Sequence, residues 1–370
     1  MTFKRTVKRI ISFMPKWLFN VIISLTKNKK QQNTELSIES IYPDNGHSSL
    51  KPKRVYSNKS YDLKIVVPCY NVEKYVIECI DSIVNQKTKY KVVVVLVNDG
   101  STDQTSTLLK KYESENVVII DKLNGGLSSA RNRALECVES KYVMFVDSDD
   151  CFLSDGFLDF ALDCANKVKK ESSKKIIIEF KHSNSKCKPH YKSGLKIVNY
   201  KELSGFAWGK IFTTDLFSNA NFPEGYWFED TVLPTIIFPL ADACFLNKST
   251  VYFYRPSINS ITNRSKTHIK VLDTFYVTRQ LLRDRDELNL PKDNTYYYRF
   301  YMQVICNCVR LSVLPKEVQI KIFFGTMDLF NKYSIKPIRQ FKSLYKSFCS
   351  ENFERYLKFC ILYSKMYLNL

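Results

Sequence analysis

The segment Tyr142–Asp150 joins an apolar run to a cluster of carboxylates. Its first five residues are typical of a buried strand, and Asp147, Ser148, Asp149 and Asp150 follow directly. Neighbouring carboxylates raise one another's pKa unless a cation keeps them ionised. Mg²⁺ and Mn²⁺ prefer oxygen ligands and often bridge one or two carboxylates to a phosphate. The segment therefore indicates either a metal–diphosphate site or an acidic turn that caps the next helix.

Three earlier strands are also predicted to end in polar, turn-forming residues. These strands are Lys64–Val67, Val92–Val97 and Val117–Ile120. They lead into Pro68-Cys69-Tyr70-Asn71, Asn98-Asp99-Gly100-Ser101 and Asn124-Gly125-Gly126. Each ending has a local explanation as a turn or a helix cap. Four such endings at one edge of an α/β sheet, where ligands bind beyond the carboxyl ends of strands, indicate a single site.

The apolar pattern predicts an α/β fold. Continuous β-branched runs separated by helical spacing are typical of a parallel sheet with helices on both faces. No GxGxxG follows the first strand, which argues against a dinucleotide-binding dehydrogenase. Further along, the pattern predicts strands at Lys175–Phe180, Trp208–Phe212 and Val251–Arg255, a helix at Thr231–Leu240, and a helical region from Lys266 to the end.

The positive charge lies at the two ends of the chain. The formal net charge is +19; residues 1–60 carry 12 Lys and Arg against 3 acids, and residues 266–370 carry 18 against 9. Basic ends suit an anionic membrane surface or a nucleic acid. The middle is nearly neutral, and its acidic cluster would repel a phosphate backbone, so nucleic acid is not expected as a partner. Eleven cysteines without a CxxC pair indicate buried thiols in a reducing compartment.

The first 30 residues have a basic amphipathic pattern. They hold eight Lys and Arg and no acid, and an apolar stripe runs from Phe3 to Leu25. The uninterrupted apolar run is too short to span a bilayer. We expect a helix in the plane of a membrane surface; the alternative is a helix that packs on the protein. Residues 31–60 are polar and are predicted to form a linker.

The ordered series of motifs resembles the family 2 glycosyltransferases of bacterial surface-polysaccharide synthesis, which have the GT-A fold. Besides the strand ends above, the matching residues are Ala130-Arg131-Asn132, Trp208-Gly209-Lys210, Phe222-Pro223-Glu224-Gly225, Glu229-Asp230, Tyr252-Phe253-Tyr254-Arg255 and Ser260-Ile261-Thr262. The resemblance covers residues 61–265. It implies a GT-A domain there, followed by a helical, basic and aromatic region over residues 266–370.

The resemblance implies a nucleotide-sugar site at the ends of the first strands. Asp99 would accept a hydrogen bond from the nucleobase, typically uracil N3–H, because a carboxylate is a pure acceptor. Arg131 would bind the diphosphate, since a guanidinium pairs well with phosphate oxygens. The other residues implied in nucleotide-sugar binding are Pro68, Tyr70, Asn71, Gly126, Asp147 and Ser148.

The resemblance also implies a metal and a catalytic base. Asp149 would be the main ligand of Mn²⁺ or Mg²⁺, with Asp147 and Asp150 as first- or second-shell partners. Asp230 would be the general base for the acceptor hydroxyl, positioned by Glu229. The alternative for Glu229-Asp230 is a charge pair at a helix N-terminus. Trp208 and Lys210 would line the acceptor side, with a core tryptophan as the alternative.

Together these expectations describe an inverting glycosyltransferase. It would move a sugar from a nucleotide sugar, UDP-linked by expectation, to a glycan or lipid-linked acceptor at the cytoplasmic face of the cell membrane. One rival is a metal-dependent nucleotidyltransferase, which shares a nucleotide-binding sheet and a carboxylate-bound metal. The other is a non-catalytic basic protein that binds membranes or nucleic acid.

Overall fold

The computed structural model describes residues 38–56, 59–172, 175–256 and 261–368. The predicted amphipathic helix of residues 1–30 lies outside them. The chain divides into two compact units. A sheet-containing unit comprises Gly46–Ile258 and Leu281–Leu290, and a helical unit comprises the other described residues.

Four parallel strands form the first half of the sheet. They are β1 (Tyr61–Cys69), β2 (Val92–Asn98), β3 (Val117–Asp121) and β4 (Ser140–Phe145), and they lie in the order β3-β2-β1-β4. β1 lies between β2 and β4, so its apolar residues, such as Leu63, Ile65 and Val67, are fully buried. The predicted strands and their parallel pairing are confirmed for this half.

The second half of the sheet is mixed rather than parallel. Its strands are β5 (Cys151–Phe152), β6 (Ile176–Ser183), β7 (Leu195–Val198), β8 (Lys210–Thr213) and β9 (Ala243–Phe253). β8 runs antiparallel to both β4 and β6, whereas β6 and β9 are parallel. Among the described residues the sheet has nine strands, ordered β3-β2-β1-β4-β8-β6-β9-β5 with β7 paired to β9.

Helices connect the strands of this unit. They are α1 (Val76–Val84), α2 (Thr105–Leu109), α3 (Gly126–Cys137) and α4 (Phe157–Ser172). The C-terminal end of α3 is held by Lys64, a buried residue of β1 whose ammonium donates to the carbonyl oxygens of Ala134, Leu135 and Val138 at 2.8–3.1 Å. Helix-end carbonyls lack intrahelical partners, and a buried cation satisfies three acceptors here at once.

The segment predicted as a helix, Thr231–Leu240, is helical but is not a continuous α-helix. The segment instead forms a 3₁₀ turn at Glu229–Thr231, a π-helical turn at Leu233–Ile237 and a 3₁₀ turn at Phe238–Leu240. Pro234 and Pro239 lack the backbone N–H that a continuous α-helix needs. The segment therefore remains helical in outline but changes its hydrogen-bonding pattern at each proline.

Part of the predicted linker lies against the sheet-containing unit. His47 N donates to Glu224 O, Lys51 N to Asn219 O and Arg54 N to Ser218 O. Ser49 is fully buried, and its hydroxyl and backbone N–H both donate to Asp284. Residues 47–54 thus run along the segment 218–224, which precedes Glu229 and Asp230.

The helical unit confirms the helical pattern predicted after Lys266. The remaining helices of the described chain are α5 (Ile261–Arg264), α6 (Asp273–Glu287), α7 (Asn294–Leu311), α8 (Lys316–Lys332), α9 (Lys342–Cys349) and α10 (Phe353–Tyr367). Aromatic rings fill its interior; Phe323 stacks on Phe348 with ring centroids 5.7 Å apart. Within the described part of the chain, no helix combines the length and apolar character that a bilayer crossing needs.

Candidate functional site

A buried guanidinium lies at the centre of the predicted site. Arg131, on α3, is 1% exposed. Its Nη1 donates to Glu229 Oε1 and to Asp230 Oδ1, both at 2.8 Å, and its Nη2 donates to Asp147 Oδ1 at 3.0 Å. One arginine therefore joins a carboxylate at the end of β4 to two carboxylates from the segment after β8.

The charges of Arg131 and its carboxylate partners shift one another's pKa values. Burial alone would lower the pKa of Arg131, but Asp230, Asp147 and Glu229 outweigh it, and the net shift is upward. Burial and the charge of Asp230 raise the pKa of Glu229 to about 7, against the opposing effect of Arg131. Burial also raises the pKa of Asp230, which retains a quarter of its side-chain exposure. A carboxylate with a raised pKa and solvent access has the properties of a general base.

The backbone before Glu229 has an uncommon conformation. Phe228 adopts φ 64° and ψ 35°, in the left-handed region that non-glycine residues rarely occupy. The 3₁₀ turn Glu229–Thr231 begins immediately after it. The two consecutive carboxylates consequently reach the same guanidinium nitrogen. Such strain is found where surrounding structure holds a functional side chain in place.

The acidic cluster after β4 contains three different environments. Asp147 contacts Arg131, and Asp150 is buried and accepts hydrogen bonds from Tyr252 Oη and Arg255 N, both at 2.7 Å. The Asp149 carboxylate is partly exposed and has no side-chain partner among the described residues. Burial and the neighbouring Asp147 raise the pKa of Asp149 to about 6. Asp149 is therefore the acid of the cluster best placed to accept a cation.

Burial is also the main cause of a still larger rise in the pKa of Asp150. Burial and the charge of Asp147 raise the pKa of Asp150 to about 8. Each of its oxygens already accepts one hydrogen bond, so the side chain ties the end of β4 to the end of β9. Any contact of Asp150 with a metal would be additional to this structural role.

Arg255 belongs to this cluster, although the sequence did not identify it as a site residue. Its Nε donates to Asp149 O at 2.7 Å and its Nη2 to Glu78 Oε2 at 2.8 Å, while its guanidinium lies 4.9 Å from the ring centroid of Tyr75. It follows β9 directly, in the Tyr-Phe-Tyr-Arg motif. The position of Arg255 close to the aromatic end of a strand was the one sequence signal that could have marked it as a site residue. Nothing in the local sequence indicated that its side chain would reach the acidic cluster after β4.

The loop after β2 is organised by Asp99. The carboxylate is 3% exposed and accepts hydrogen bonds from Lys122 Nζ at 2.6 Å, Gly125 N at 3.0 Å and Gly126 N at 2.8 Å. Gly126 has φ 85°, which favours glycine. Lys122, at the end of β3, was not predicted. Asp99 thus lies at the strand end where the nucleobase was expected, and it also fixes the glycine turn that opens α3.

The loop after β1 is tied to the loop after β2. Asn71 has φ 52°, and its side-chain oxygen accepts from Thr102 N at 2.8 Å, while Ser101 Oγ accepts from Asn71 N. Tyr70 is 48% exposed, and Pro68 lies within β1. Ser148 is buried after β4. The predicted base and ribose residues therefore lie at one edge of the sheet, and their binding roles stay predictions.

The residues predicted for the acceptor side are buried in the structure. Trp208 is 5% exposed and stacks on Phe206, Tyr252 and Tyr254 with ring centroids 4.7–5.1 Å apart. Lys210 is 2% exposed; its ammonium donates to Ser204 Oγ at 2.7 Å and Phe206 O at 2.8 Å. Both residues support the loop 204–206, in which Phe206 is 46% exposed. Direct contact with an acceptor stays a prediction.

A divalent ion fits the carboxylates that are present. Mg²⁺ and Mn²⁺ are commonly held by one or two carboxylates together with substrate phosphates. Asp149 with Asp147 provides such a pair, and burial together with Asp147 outweighs Arg255 in raising the pKa of Asp149. No group of three or more acids, histidines or cysteines in the described residues is arranged to hold an ion by itself. A bound phosphate would have to complete the coordination.

Comparison with known proteins finds a family match within the sheet-containing unit. The family model "Glycosyl transferase family 2" matches residues 64–166. The chain is 29% identical over 216 residues to the uncharacterized glycosyltransferase EpsJ of Bacillus subtilis, covering 54% of this chain and 62% of EpsJ. It is 32% identical over 173 residues to the poly(ribitol-phosphate) beta-N-acetylglucosaminyltransferase TarS of Staphylococcus aureus, covering 43% of this chain and 29% of TarS. The chain thus spans less than two thirds of the length of these relatives.

The fold also matches a solved structure. The crystal structure of S. aureus TarS residues 1–349 in complex with UDP-GlcNAc superposes with a TM-score of 0.60 at 22% identity, covering 82% of this chain and 91% of that one. At this identity the match establishes the fold. The expected GT-A-like fold is thereby confirmed, and residues 64–166 match the family model of the family 2 glycosyltransferases.

Proposed function

We propose that the protein is an inverting, metal-dependent glycosyltransferase that moves a sugar from a UDP-linked donor to a surface-glycan acceptor. The observation that carries this proposal is the contact of Arg131 with Asp147 on one side and with Glu229 and Asp230 on the other. It unites the strand end expected to bind the donor diphosphate with the carboxylates expected to activate the acceptor.

The donor would lie along the ends of β1, β2 and β4. Asp99 would accept from the nucleobase imide, and Pro68, Tyr70 and Asn71 would surround base and ribose, with Gly126 and Ser148 beside them. A UDP-linked donor is favoured because TarS, whose structure resembles this one, was solved with UDP-GlcNAc. Arg131 is satisfied by carboxylates, so we propose that it reaches a diphosphate only if those contacts rearrange.

A divalent ion held by Asp149 and Asp147, with Asp150 behind them, would neutralise charge on the departing diphosphate. The chain's own residues supply the remaining steps. Asp230 would take the proton of the acceptor hydroxyl as that oxygen attacks the anomeric carbon from the face opposite the leaving group, which inverts the configuration. Glu229 and Arg131 would keep Asp230 oriented, while Trp208 and Lys210 would support the loop on the acceptor side.

The names of the relatives support the proposed acceptor, and the charge of the first 30 residues supports the proposed location in the cell. Two relatives are named for poly(ribitol-phosphate) glycosylation or poly(glycerol phosphate) polymerisation, which favours a cell-envelope acceptor, free or lipid-linked. The basic first 30 residues support attachment to the cytoplasmic membrane surface. We propose residues 61–265 as the catalytic part. A nucleotidyltransferase remains the second candidate, favoured only by the carboxylate pair at a nucleotide-type sheet.

A screen of nucleotide sugars with and without Mn²⁺ tests the proposal. We expect nucleoside diphosphate to be released only with the metal, and Asp149→Ala to abolish release without changing the melting temperature, because a strand-end carboxylate leaves no core cavity. Asp155→Ala, which removes an exposed acid nearby, is the matched control. Release of pyrophosphate would show a nucleotidyltransferase, and full activity in excess chelator would exclude the metal.

A further inference from the structure

A cavity of about 630 Å³ lies on the second half of the sheet. It is formed by residues of β6, β7 and β9. The lining residues are Glu179, Phe180, Lys181, His182, Lys196, Leu246, Asn247 and Lys248. We call it the lysine cavity. Its volume lies within the range of small-molecule sites, which is roughly 300–1,000 Å³.

The lining has an excess of positive charge. Lys181, Lys196 and Lys248 come from three different strands and are all exposed. Lys196 pairs with Glu202 at 3.4 Å, whereas Lys181 and Lys248 have no ionic partner among the described residues. The only acid of the lining, Glu179, accepts from Ser204 N at 2.8 Å and faces the buried Lys210 at 3.4 Å. Its charge is therefore balanced from the protein side.

The sequence around the cavity is basic as well. Residues 181–201 contain six lysines and no acid, whereas the rest of residues 61–265 carries 20 Lys and Arg against 25 acids. A run of lysines is usually a solvated surface. Here, however, the sheet brings lysines from sequence positions as distant as 181 and 248 to one concave surface. Because these lysines converge from separate strands, a binding site is favoured over a merely solvated surface segment.

The lysine cavity adjoins the residues predicted for the acceptor side. The His182 ring lies 4.8 Å from that of Trp208 and 6.3 Å from that of Tyr254, measured between ring centroids. Glu179 faces Lys210, the second residue of that side. An elongated acceptor with its reacting hydroxyl at Asp230 could thus extend over this aromatic group towards the cavity.

We propose that the lysine cavity binds a phosphodiester group of a polyanionic acceptor, a chain of polyol phosphate units, while another unit of that chain is glycosylated. The proposal rests on the proposed function and extends it to the acceptor. Lysine ammoniums are hydrated point charges without the fixed geometry of a guanidinium. They suit a repetitive, flexible polymer that must be held at many equivalent positions along its length.

Binding of fluorescent poly(glycerol phosphate) to the full chain tests the cavity without any donor. The test protein carries Lys181→Gln and Lys248→Gln; the control carries Lys110→Gln and Lys111→Gln, which remove the same charge from an exposed turn after α2. Exposed ion pairs contribute modestly, so we expect the cavity variant to bind roughly 5- to 20-fold more weakly and the control to bind within about twofold of the wild type.

Turnover separates this proposal from the proposed function. Nucleoside diphosphate release without acceptor should be equal in all three proteins, while the KM for poly(glycerol phosphate) should rise only in the cavity variant. If the wild type hydrolyses no donor, the proposed function fails, and the binding measurement still decides on the cavity. Equal polymer binding by all three proteins would overturn the proposal. An equal loss of polymer binding in the control would also overturn it. So would a cavity variant that binds anionic vesicles more weakly but binds the polymer normally.

Discussion

Arg131 shows how a single side chain can define a site at the residue scale. The sequence predicts that it binds a diphosphate, yet its guanidinium donates to three carboxylates. A buried cation with three acidic neighbours forms charge-assisted hydrogen bonds that fix the directions of their side chains. Removing it would leave uncompensated buried charge, which typically costs about 3–5 kcal/mol. Arg131 is thus as important for the stability of the site as for its chemistry.

Asp230→Asn should lower turnover by a factor on the order of 10² to 10⁴, the usual contribution of a general base. The amide keeps the size of the side chain, and its oxygen still accepts from Arg131, so the fold and donor affinity should hardly change. Steady-state rates with calorimetric donor binding measure both quantities, and Asp155→Asn serves as the control. Normal turnover of the Asp230 variant would show that Asp230 is not the base and is only a charged residue at the start of a helical turn.

The pH profile should report the Glu229–Asp230 pair. Burial raises the pKa of both carboxyls, that of Glu229 to about 7. A base works only when deprotonated, so kcat/KM should fall as the pH drops, and this fall should begin above the titration range of ordinary carboxyls. In Glu229→Gln a like charge is gone, and the acidic limb should move to lower pH. An acidic limb near pH 4 in the wild type would contradict this prediction.

At the scale of elements, the sequence predicts the first half of the sheet because each strand is a continuous apolar run ended by turn residues. β1, β2, β3 and β4 are therefore found where they were expected. The second half could not be derived in the same way. Nothing in Lys210–Thr213 indicates that β8 lies antiparallel between β4 and β6, since strand order depends on contacts distant in sequence. The prolines of 229–240 did carry a signal against a regular helix.

The site follows the same division. The carboxylates and glycines at strand ends were predictable because their type and position point to one sheet edge. The contacts of Lys122 and Arg255 were not, because each lies after a strand whose place in the sheet had first to be known. The burial of Trp208 beneath Phe206 likewise depends on a loop, 204–206, with no sequence motif of its own.

Lys64 gives a stability prediction for β1 and α3. Burial lowers the pKa of its ammonium to about 8, whereas the unfolded chain keeps a value near 10.5. Between these values the unfolded state binds more protons, so the free energy of unfolding contributed by this group should rise with pH from about 8 to 10.5. Chemical denaturation at several pH values should show this rise in the wild type and not in Lys64→Met.

The Lys64→Met variant should also be less stable at pH 7. It leaves three buried carbonyl acceptors at the end of α3 without their donor, and an unsatisfied buried group costs about 1–3 kcal/mol. Lys89→Met, which changes an exposed lysine of the same unit, is the control. Identical midpoints for the wild type and Lys64→Met would show that water satisfies the carbonyls.

At the scale of the whole molecule, the basic ends should act in attachment rather than catalysis. Residues 1–30 carry eight Lys and Arg and no acid, and each contributes about 1 kcal/mol near an anionic surface. Deleting them should abolish sedimentation with anionic vesicles and leave activity on a soluble acceptor largely intact. Full-length protein should release as salt rises, because charge attraction is screened.

The control for attachment keeps the length of the segment. Replacing Lys4, Arg5, Lys8 and Arg9 by Gln retains the apolar stripe and removes half of the charge. We expect this protein to bind anionic vesicles more weakly than the wild type but more tightly than the deletion. Equal binding of full-length protein to anionic and neutral vesicles, or to neither, would favour a helix that packs on protein instead.

The reversal of strand direction between β4 and β8 has a consequence for recombination. Residues before α4 carry Asp99 and Asp149, whereas residues after it carry Glu229, Asp230 and the lysine cavity. A chimera joined within α4 should therefore inherit donor choice from one parent and acceptor choice from the other. Its compatibility would depend on the contacts that cross the junction, namely Arg131 with the Glu-Asp pair, Asp150 with Tyr252 and Arg255, and the pairing of β4 with β8. Those contacts are the practical guide for selecting parents.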